Sequence, residues 1–186
     1  MAFLFYHYTC SMQIKGSQFT IRTWQPEDAA SLARNANSPL VSRYLKDRFP
    51  YPYTISDAEL FIKGHLQADI PVNFAIDIDG EVIGGIGLQL RADIYAPTPL
   101  LGYWLSERYW GKGIMAEAVK LVCQYAFESL NAACIVAYVL EQNPQSMRVL
   151  EKAGFIRRGI VPKSVVKQGK IMDEHTFSLH PPANAI

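Results

Sequence analysis

The sequence is poor in the residues that would build a metal or disulfide protein. It has three cysteines, Cys10, Cys123 and Cys134, and no two of them stand in C-x-x-C or other ligand spacing. An odd number of scattered thiols excludes a disulfide framework and fits a reducing, cytoplasmic setting. The four histidines, His7, His65, His175 and His180, are as scattered, so no metal is expected. Neither sign of charge is in excess: 18 Lys+Arg against 17 Asp+Glu leave +1. That balance excludes the basic footprint of a nucleic-acid binder. No apolar run is long enough to span a bilayer, so no membrane partner is expected either. Repeats and low-complexity tracts are missing. So are the nucleotide motifs G-x-x-x-x-G-K-[S/T] and, after a strand, G-x-G-x-x-G.

What remains is a chain of 186 residues, 49% hydrophobic and 19% charged, enough for one domain with a sizeable core. Residues 19–180 are assigned to that domain and 181–186 to a tail. Residues 1–18 are assigned to an extension. It opens M-A-F-L-F-Y-H-Y-T-C-S-M, apolar and aromatic but without the basic start of a signal peptide, and Met12 is a candidate first residue.

Within the domain, residues 19–24 alternate as a strand. Pro26-Glu27-Asp28 then opens a helix to about Asn35. A short helix is predicted over 39–45. The prolines of F-P-Y-P-Y (49–53) exclude helix there. Ser56, with Glu59 three residues on, predicts an N-cap and a helix to about Gln67. Residues 72–78 and 81–90 read as a hairpin around Asp79-Gly80. Residues 100–105 form a further strand, in which Gly102 predicts a bulge. Residues 113–130 are helical, with Glu117, Lys120, Gln124 and Glu128 on one polar stripe. A strand at 134–140, a helix from Asn143-Pro144 to Gly154, and strands 155–166 and 170–179 complete seven strands. This is a mixed α/β (α+β) domain with a largely antiparallel sheet.

One junction has chemical meaning by itself. After strand 100–105 comes R-Y-W-G-K-G, and then a helix. The first N–H groups of a helix lack partners and carry the positive end of its dipole. Gly111 and Gly113 let successive N–H groups converge and leave room for a phosphate, while Arg108 and Lys112 add charge. Taken alone, the loop is also explained as an ordinary turn, since two glycines in three residues are common.

The surroundings are more specific. Arg108-Tyr109-Trp110-Gly111-Lys112-Gly113 resembles the [Q/R]-x-x-G-x-[G/A] acyl-CoA signature of the GNAT N-acetyltransferase superfamily. L-G-Y-W-L (101–105) resembles that family's fourth strand, and N-P-Q-S-M-R-V-L-E-K-A-G-F (143–155) its N-x-x-S-x-x-x-[L/F]-x-K-x-G-F segment. I-R-T-W-Q-P-E-D-A-A, P-Y-P-Y-T-I-S-D-A-E and I-D-G-E-V-I-G-G-I-G-L resemble the ribosomal-protein N-terminal (alanine) acetyltransferase branch. The resemblance runs from about Phe19 to Leu179.

The resemblance implies a seven-stranded sheet splayed between its fourth and fifth strands, 100–105 and 134–140, with acetyl-CoA as co-substrate in the opening. The pyrophosphate would lie on the backbone of Arg108, Gly111, Lys112, Gly113, Ile114 and Met115. The pantetheine would lie along Trp104 and Leu105, where a backbone N–H serves as oxyanion donor. Asn143 would be a CoA contact as well as a helix cap. Ser146 would lie near the sulfur as leaving-group acid or positioner, or else satisfy its own helix. The family's glutamate, two residues before Gly102, is Leu100 here. Candidates for the base are therefore Glu141, Tyr103, Asp173 and His175, unless water relays the proton or the amine arrives neutral; Asp173 and His175 also read as structural strand residues. Phe49, Tyr51 and Tyr53, with His175, are candidates for the acceptor side; packing within a proline-rich loop explains the three aromatics slightly better. Tyr109 and Trp110 are assigned to wedging the loop.

The implied activity is acetylation of a primary amine by direct attack on the thioester, the acceptor being a protein N-terminus or a small amine or amino-acid-like metabolite. Antibiotic or polyamine acetylation is the rival acceptor class, and the near-neutral charge argues against a polycation. A non-catalytic acyl-CoA-binding module with a degenerate site is the rival that Leu100 keeps open. The sequence leaves monomer and homodimer equally open.

Overall fold

The computed structural model describes residues 12–66 and 70–182. Cys10, residues 1–11, the helix end near Gln67 and residues 183–186 lie outside the described residues. Among those described, no helix is long and apolar enough to cross a membrane.

The chain enters on an antiparallel pair, β1 (Gln13–Lys15) and β2 (Thr20–Arg22). Strand β1 falls inside the stretch assigned to an extension, and it raises the strand count from seven to eight. Only Ile14 of its three residues packs against the core, and three residues are too few to show an alternation. The turn after β1 is fastened to the middle of the molecule. The Ser17 N–H and hydroxyl donate to the two Glu117 carboxylate oxygens at 2.7 and 2.6 Å.

A 3-10 turn at Pro26–Asp28 leads into α1 (Ala29–Ala36), followed by α2 (Pro39–Ser42) and α3 (Ile55–Lys63). The start of α3 corrects the expected cap. Thr54, not Ser56, is the N-cap: its hydroxyl accepts from Asp57 N–H at 3.2 Å, and the Asp57 carboxylate accepts from Thr54 N–H at 2.8 Å. Asp at N3 closes the same reciprocal box as Glu, so T-I-S-D takes the cap two residues before S-D-A-E.

Strands β3 (Asn73–Ile78) and β4 (Glu81–Gln89) form the hairpin around Asp79-Gly80, both residues at positive φ. Then come β5 (Leu100–Leu105), α4 (Ile114–Ser129), β6 (Ile135–Leu140), α5 (Pro144–Lys152), β7 (Ile156–Lys167) and β8 (Lys170–Leu179). The sheet order is β1-β2-β3-β4-β5-β6-β8-β7, and only β5 and β6 run parallel.

Each face of the sheet has its own core. On one, α4 and α5 pack Val119, Val122 and Leu150 against Ile83, Ala137 and Phe177. On the other, α1 and α3 pack Leu32 and Ile62 against Trp24, Ala75 and Val82, with Trp104 and Phe49 at the margin. A buried ion network secures the second face. Arg22 donates to both oxygens of Asp28, 2.7 and 2.8 Å away, and to Asp77 at 2.7 Å, joining β2, the start of α1 and β3.

The sheet opens where its two parallel strands meet. Strands β5 and β6 share one ladder position, Leu100↔Val136, and separate beyond it. The expected bulge at Gly102 is not the cause, because the β4–β5 register runs unbroken from Gly84↔Leu105 to Gln89↔Leu100. Helices α4 and α5 share a core with strands from both sides of the opening.

Candidate active site

One lip of the opening is the loop between β5 and α4. Trp110 wedges it, donating its indole N–H to the Leu105 carbonyl at 2.8 Å. Lys112 Nζ lies 5.0 Å from the centre of the Tyr109 ring. Gly111 and Gly113 have φ of 77° and 82°, and a Cβ on either would meet nothing within 4 Å. Both glycines thus border open space in a conformation that side chains rarely adopt. Helices α2, α3 and α5 have side-chain caps from Ser38, Thr54 and Asn143, whereas α4 begins at Gly113 with none. Ile114 and Met115 turn their side chains into the core, so only their backbone N–H groups can serve a ligand. Arg108 and Lys112 are exposed beside the loop.

The backbone of β5 supplies a second set of donors. Ser106 N–H donates to the Ile83 carbonyl at 2.8 Å, which fixes the phase of the ladder. Antiparallel alternation then turns the backbone groups of Trp104 and Gly102 toward β4, and those of Leu105 and Tyr103 toward β6. The N–H groups of Tyr103 and Leu105 therefore face the opening. Of the two backbone positions expected for pantetheine, Leu105 is on that side and Trp104 is not. Trp104 presents its side chain to the second core instead.

The other lip is the start of α5. The Asn143 side-chain oxygen accepts from Ser146 N–H at 3.1 Å, so the Ser146 hydroxyl is not needed as a cap. That hydroxyl instead lies 2.8 Å from the Tyr103 hydroxyl, which also donates to the Ser146 carbonyl at 3.2 Å. Burial pushes the Tyr103 phenol well above its ordinary value, with Ser146 opposing the shift. Tyr103 is therefore a neutral hydroxyl, able to donate a hydrogen bond or a proton but ill suited as a resident anionic base.

The remaining candidates separate. Glu141 is exposed just past β6. Asp173 accepts from Lys163 N–H at 2.8 Å and clasps β7. His175 is 4% exposed between Val139 and Ile160, and neither ring nitrogen has a hydrogen-bond partner. Tyr53 is 5% exposed and turns inward, its N–H donating to Asn37 at 3.0 Å. Phe49 bridges Tyr53 and Trp104, with centroids 4.8 and 5.7 Å away, while Tyr51 is 54% exposed. Phe49, Pro50 and Tyr51 line a cleft of about 170 Å³ with Ser42, Asp47 and Lys167. Asp47 is paired with Lys167 at 2.6 Å.

A carboxylate absent from the sequence candidates lies between two that were chosen. Glu174 is half-buried on β8, across the ladder from Leu140 and Val161. Burial pushes its carboxyl above the ordinary carboxylate range, with Lys46 opposing the shift. The period-two pattern around Phe177 was the signal available for it, since a buried 177 sends 174 to the other face from 173 and 175.

A family profile for the Acetyltransferase (GNAT) domain matches residues 18–156. The chain belongs to the GNAT acetyltransferase family. This acetyltransferase is 32% identical over 173 residues to the probable N-acetyltransferase YjcK of Bacillus subtilis, covering 89% of this chain and 96% of that one. It is 31% identical over 157 residues to the ribosomal-protein-serine acetyltransferase of Escherichia coli, covering 78% and 87%. Its fold matches that of Mycobacterium smegmatis RimJ in complex with CoA-disulfide at a TM-score of 0.80, with 18% identity, covering 94% of this chain and 90% of that one. The GNAT-like mixed α/β fold is therefore established, with eight strands where seven were expected. Among the described residues, no group of three or more His, Cys, Asp or Glu is placed to hold a metal.

Proposed function

We propose that this acetyltransferase uses acetyl-CoA to acetylate a primary amine, either a protein N-terminus or a small amine or amino-acid-like metabolite. The observation that carries this reading is the opening between β5 and β6, with an uncapped helix N-terminus at one lip and the Tyr103–Ser146 pair at the other. The backbone of Gly111, Lys112, Gly113, Ile114 and Met115 fits a pyrophosphate, and Arg108 and Lys112 fit its charge. The inward N–H groups of Tyr103 and Leu105 fit an extended amide chain laid along β5 as an added strand. Acetyl-CoA supplies a thioester whose carbonyl develops negative charge under attack, and the Leu105 N–H is the donor for that charge. Ser146, polarised by Tyr103, is the proton source for the departing sulfur. Phe49 and Tyr51 form the wall past which the acceptor enters.

Calorimetry with acetyl-CoA, followed by thiol release over a panel of N-terminal peptides, amino acids and polyamines, tests the reading. Binding of acetyl-CoA with turnover on α-amines or monoamines is the expected result. Absence of acetyl-CoA binding overturns the donor assignment. Turnover confined to polyamines replaces the acceptor class, a result disfavoured by Asp47, the cleft carboxylate that Lys167 already neutralises.

A further inference from the structure

Side chains on β5, and on β8 behind the β6 wall, sort by parity. On β8, Phe177 is fully buried in the core under α4 and α5, so Asp173 and His175 project to that side and Glu174 and Thr176 to the other. On β5, Leu101 and Leu105 lie in the same core as Phe177, so Leu100 and Trp104 project to the side of Glu174. That is the face covered by Phe49 and the loop after α2. Height along the strands also matches. From Leu100↔Val136, parallel continuation brings Trp104 level with Leu140, and Leu140 pairs with Glu174. Glu174 therefore stands one strand behind β6, on the face shared with Trp104 and level with the β5 segment that presents the Leu105 N–H.

Lys46 links the two halves of the sheet electrostatically. It donates to the Gln89 side chain at 3.4 Å, and Gln89 is the ladder partner of Leu100. Its charge also acts on Glu174. Leu100 occupies the place where the family resemblance puts a glutamate, so β5 has no carboxylate on this face. Strand β8, directly behind the opposite wall β6, has one.

We propose that Glu174 is the carboxylate that receives the acceptor's ammonium group and takes its proton. This assignment rests on the amine-acetyltransferase reading above. The acceptor arrives as R–NH3+ and gives one proton to Glu174. The neutral nitrogen then forms a bond to the thioester carbon. The C–S bond breaks, and the thiolate gains the adduct's second nitrogen-borne proton by way of the Ser146 hydroxyl. Glu174 returns its proton to water, leaving amide, free thiol and one released proton.

The surrounding charges favour this transfer. Burial raises the basicity of Glu174, which improves it as a proton acceptor. The charge of Lys46 disfavours an ammonium nearby and so favours its neutral form. The other polar groups facing this region are the Asp47–Lys167 pair, which is self-neutralised, and the phenol of Tyr138 on β6. Cross-strand neighbours Leu140 and Val161 carry no charge.

The test is Glu174→Gln, with Glu174→Asp beside it, on an amine that the wild-type enzyme turns over. The expected loss in kcat/KM for Glu174→Gln is about 100-fold or more, with acetyl-CoA affinity unchanged. Glu174→Asp should retain an intermediate rate. Wild-type kcat/KM should fall as pH drops through a value above that of an ordinary glutamate, because only the ionised group accepts a proton. The residual activity of Glu174→Gln should lack that limb. Since the folded pKa lies above the unfolded one, ionised Glu174 costs stability at neutral pH. The amide variant should therefore melt no lower than wild type, which separates lost chemistry from lost folding. Glu174→Gln within about threefold of an active wild type overturns this assignment alone. A wild type that binds acetyl-CoA but turns over no amine overturns the acceptor reading, and this assignment with it.

Discussion

At the scale of single residues, on the proposed reading, Tyr103 and Ser146 share the role that the motif alone assigns to the serine. Asn143 already satisfies the backbone at the start of α5, which frees the Ser146 hydroxyl for the phenol 2.8 Å away. A proton donor in this position acts late, on the departing sulfur, and contributes little to donor binding. Ser146→Ala should therefore lower kcat by roughly 100-fold or more while acetyl-CoA affinity changes little. Steady-state kinetics beside calorimetry will distinguish the outcomes. Loss of affinity with preserved kcat would make Ser146 a binding residue only. Motif spacing was enough to pick out Asn143 and Ser146 because one helical turn fixes their relation. Their contact with Tyr103 joins residues 43 positions apart and had no local signature. Glu174 is legible in principle from the alternation around Phe177, whereas the family resemblance points to its neighbour Asp173.

At the scale of elements, the β5–α4 junction was the most legible part of the chain. Gly111 and Gly113 carry positive φ, Trp110 locks the turn, and α4 starts without a cap. Each follows from R-Y-W-G-K-G between a strand and an amphipathic helix. Element ends were less legible, because Thr54 and Ser56 are both good caps, and only the reach of Asp57 decides between them. The opening of the sheet lies between residues 100–105 and 134–140, as the resemblance implies, and the bulge expected at Gly102 is not there. The loop reading makes a sharp prediction. Gly111→Glu puts a side chain and a negative charge into the hollow, and requires a left-handed φ of an L residue at a cost of about 1–2 kcal/mol. Acetyl-CoA binding should be lost in calorimetry while the folded CD spectrum persists. Unchanged affinity would show that the phosphates lie elsewhere.

At the scale of the molecule, the sheet is two ladders sharing one rung, beside which the Ala133, Cys134 and Val136 N–H groups donate to the Pro97 and Pro99 carbonyls. Strands β1 to β5 form one, β6, β8 and β7 the other, and Leu100↔Val136 is their shared rung. The α4–α5 core spans both. An extended donor lying in the opening would supply the missing strand and satisfy backbone groups from one edge only. The consequence is specific to parity. Without ligand, the Tyr103 and Leu105 amides face the gap and should exchange with solvent faster than Trp104, whose amide is held in the β4 ladder. Saturating acetyl-CoA should slow exchange at 103 and 105 and leave 104 nearly unchanged beyond the global gain in stability. At about 100 times Kd that global gain is about 2.7 kcal/mol, so Trp104 supplies the internal reference. Residue-resolved hydrogen exchange with and without acetyl-CoA measures all three. Equal protection of 103, 104 and 105 by the ligand would mean that it tightens the whole fold and does not pair with β5. Selective protection of the odd positions would show the donor completing the sheet.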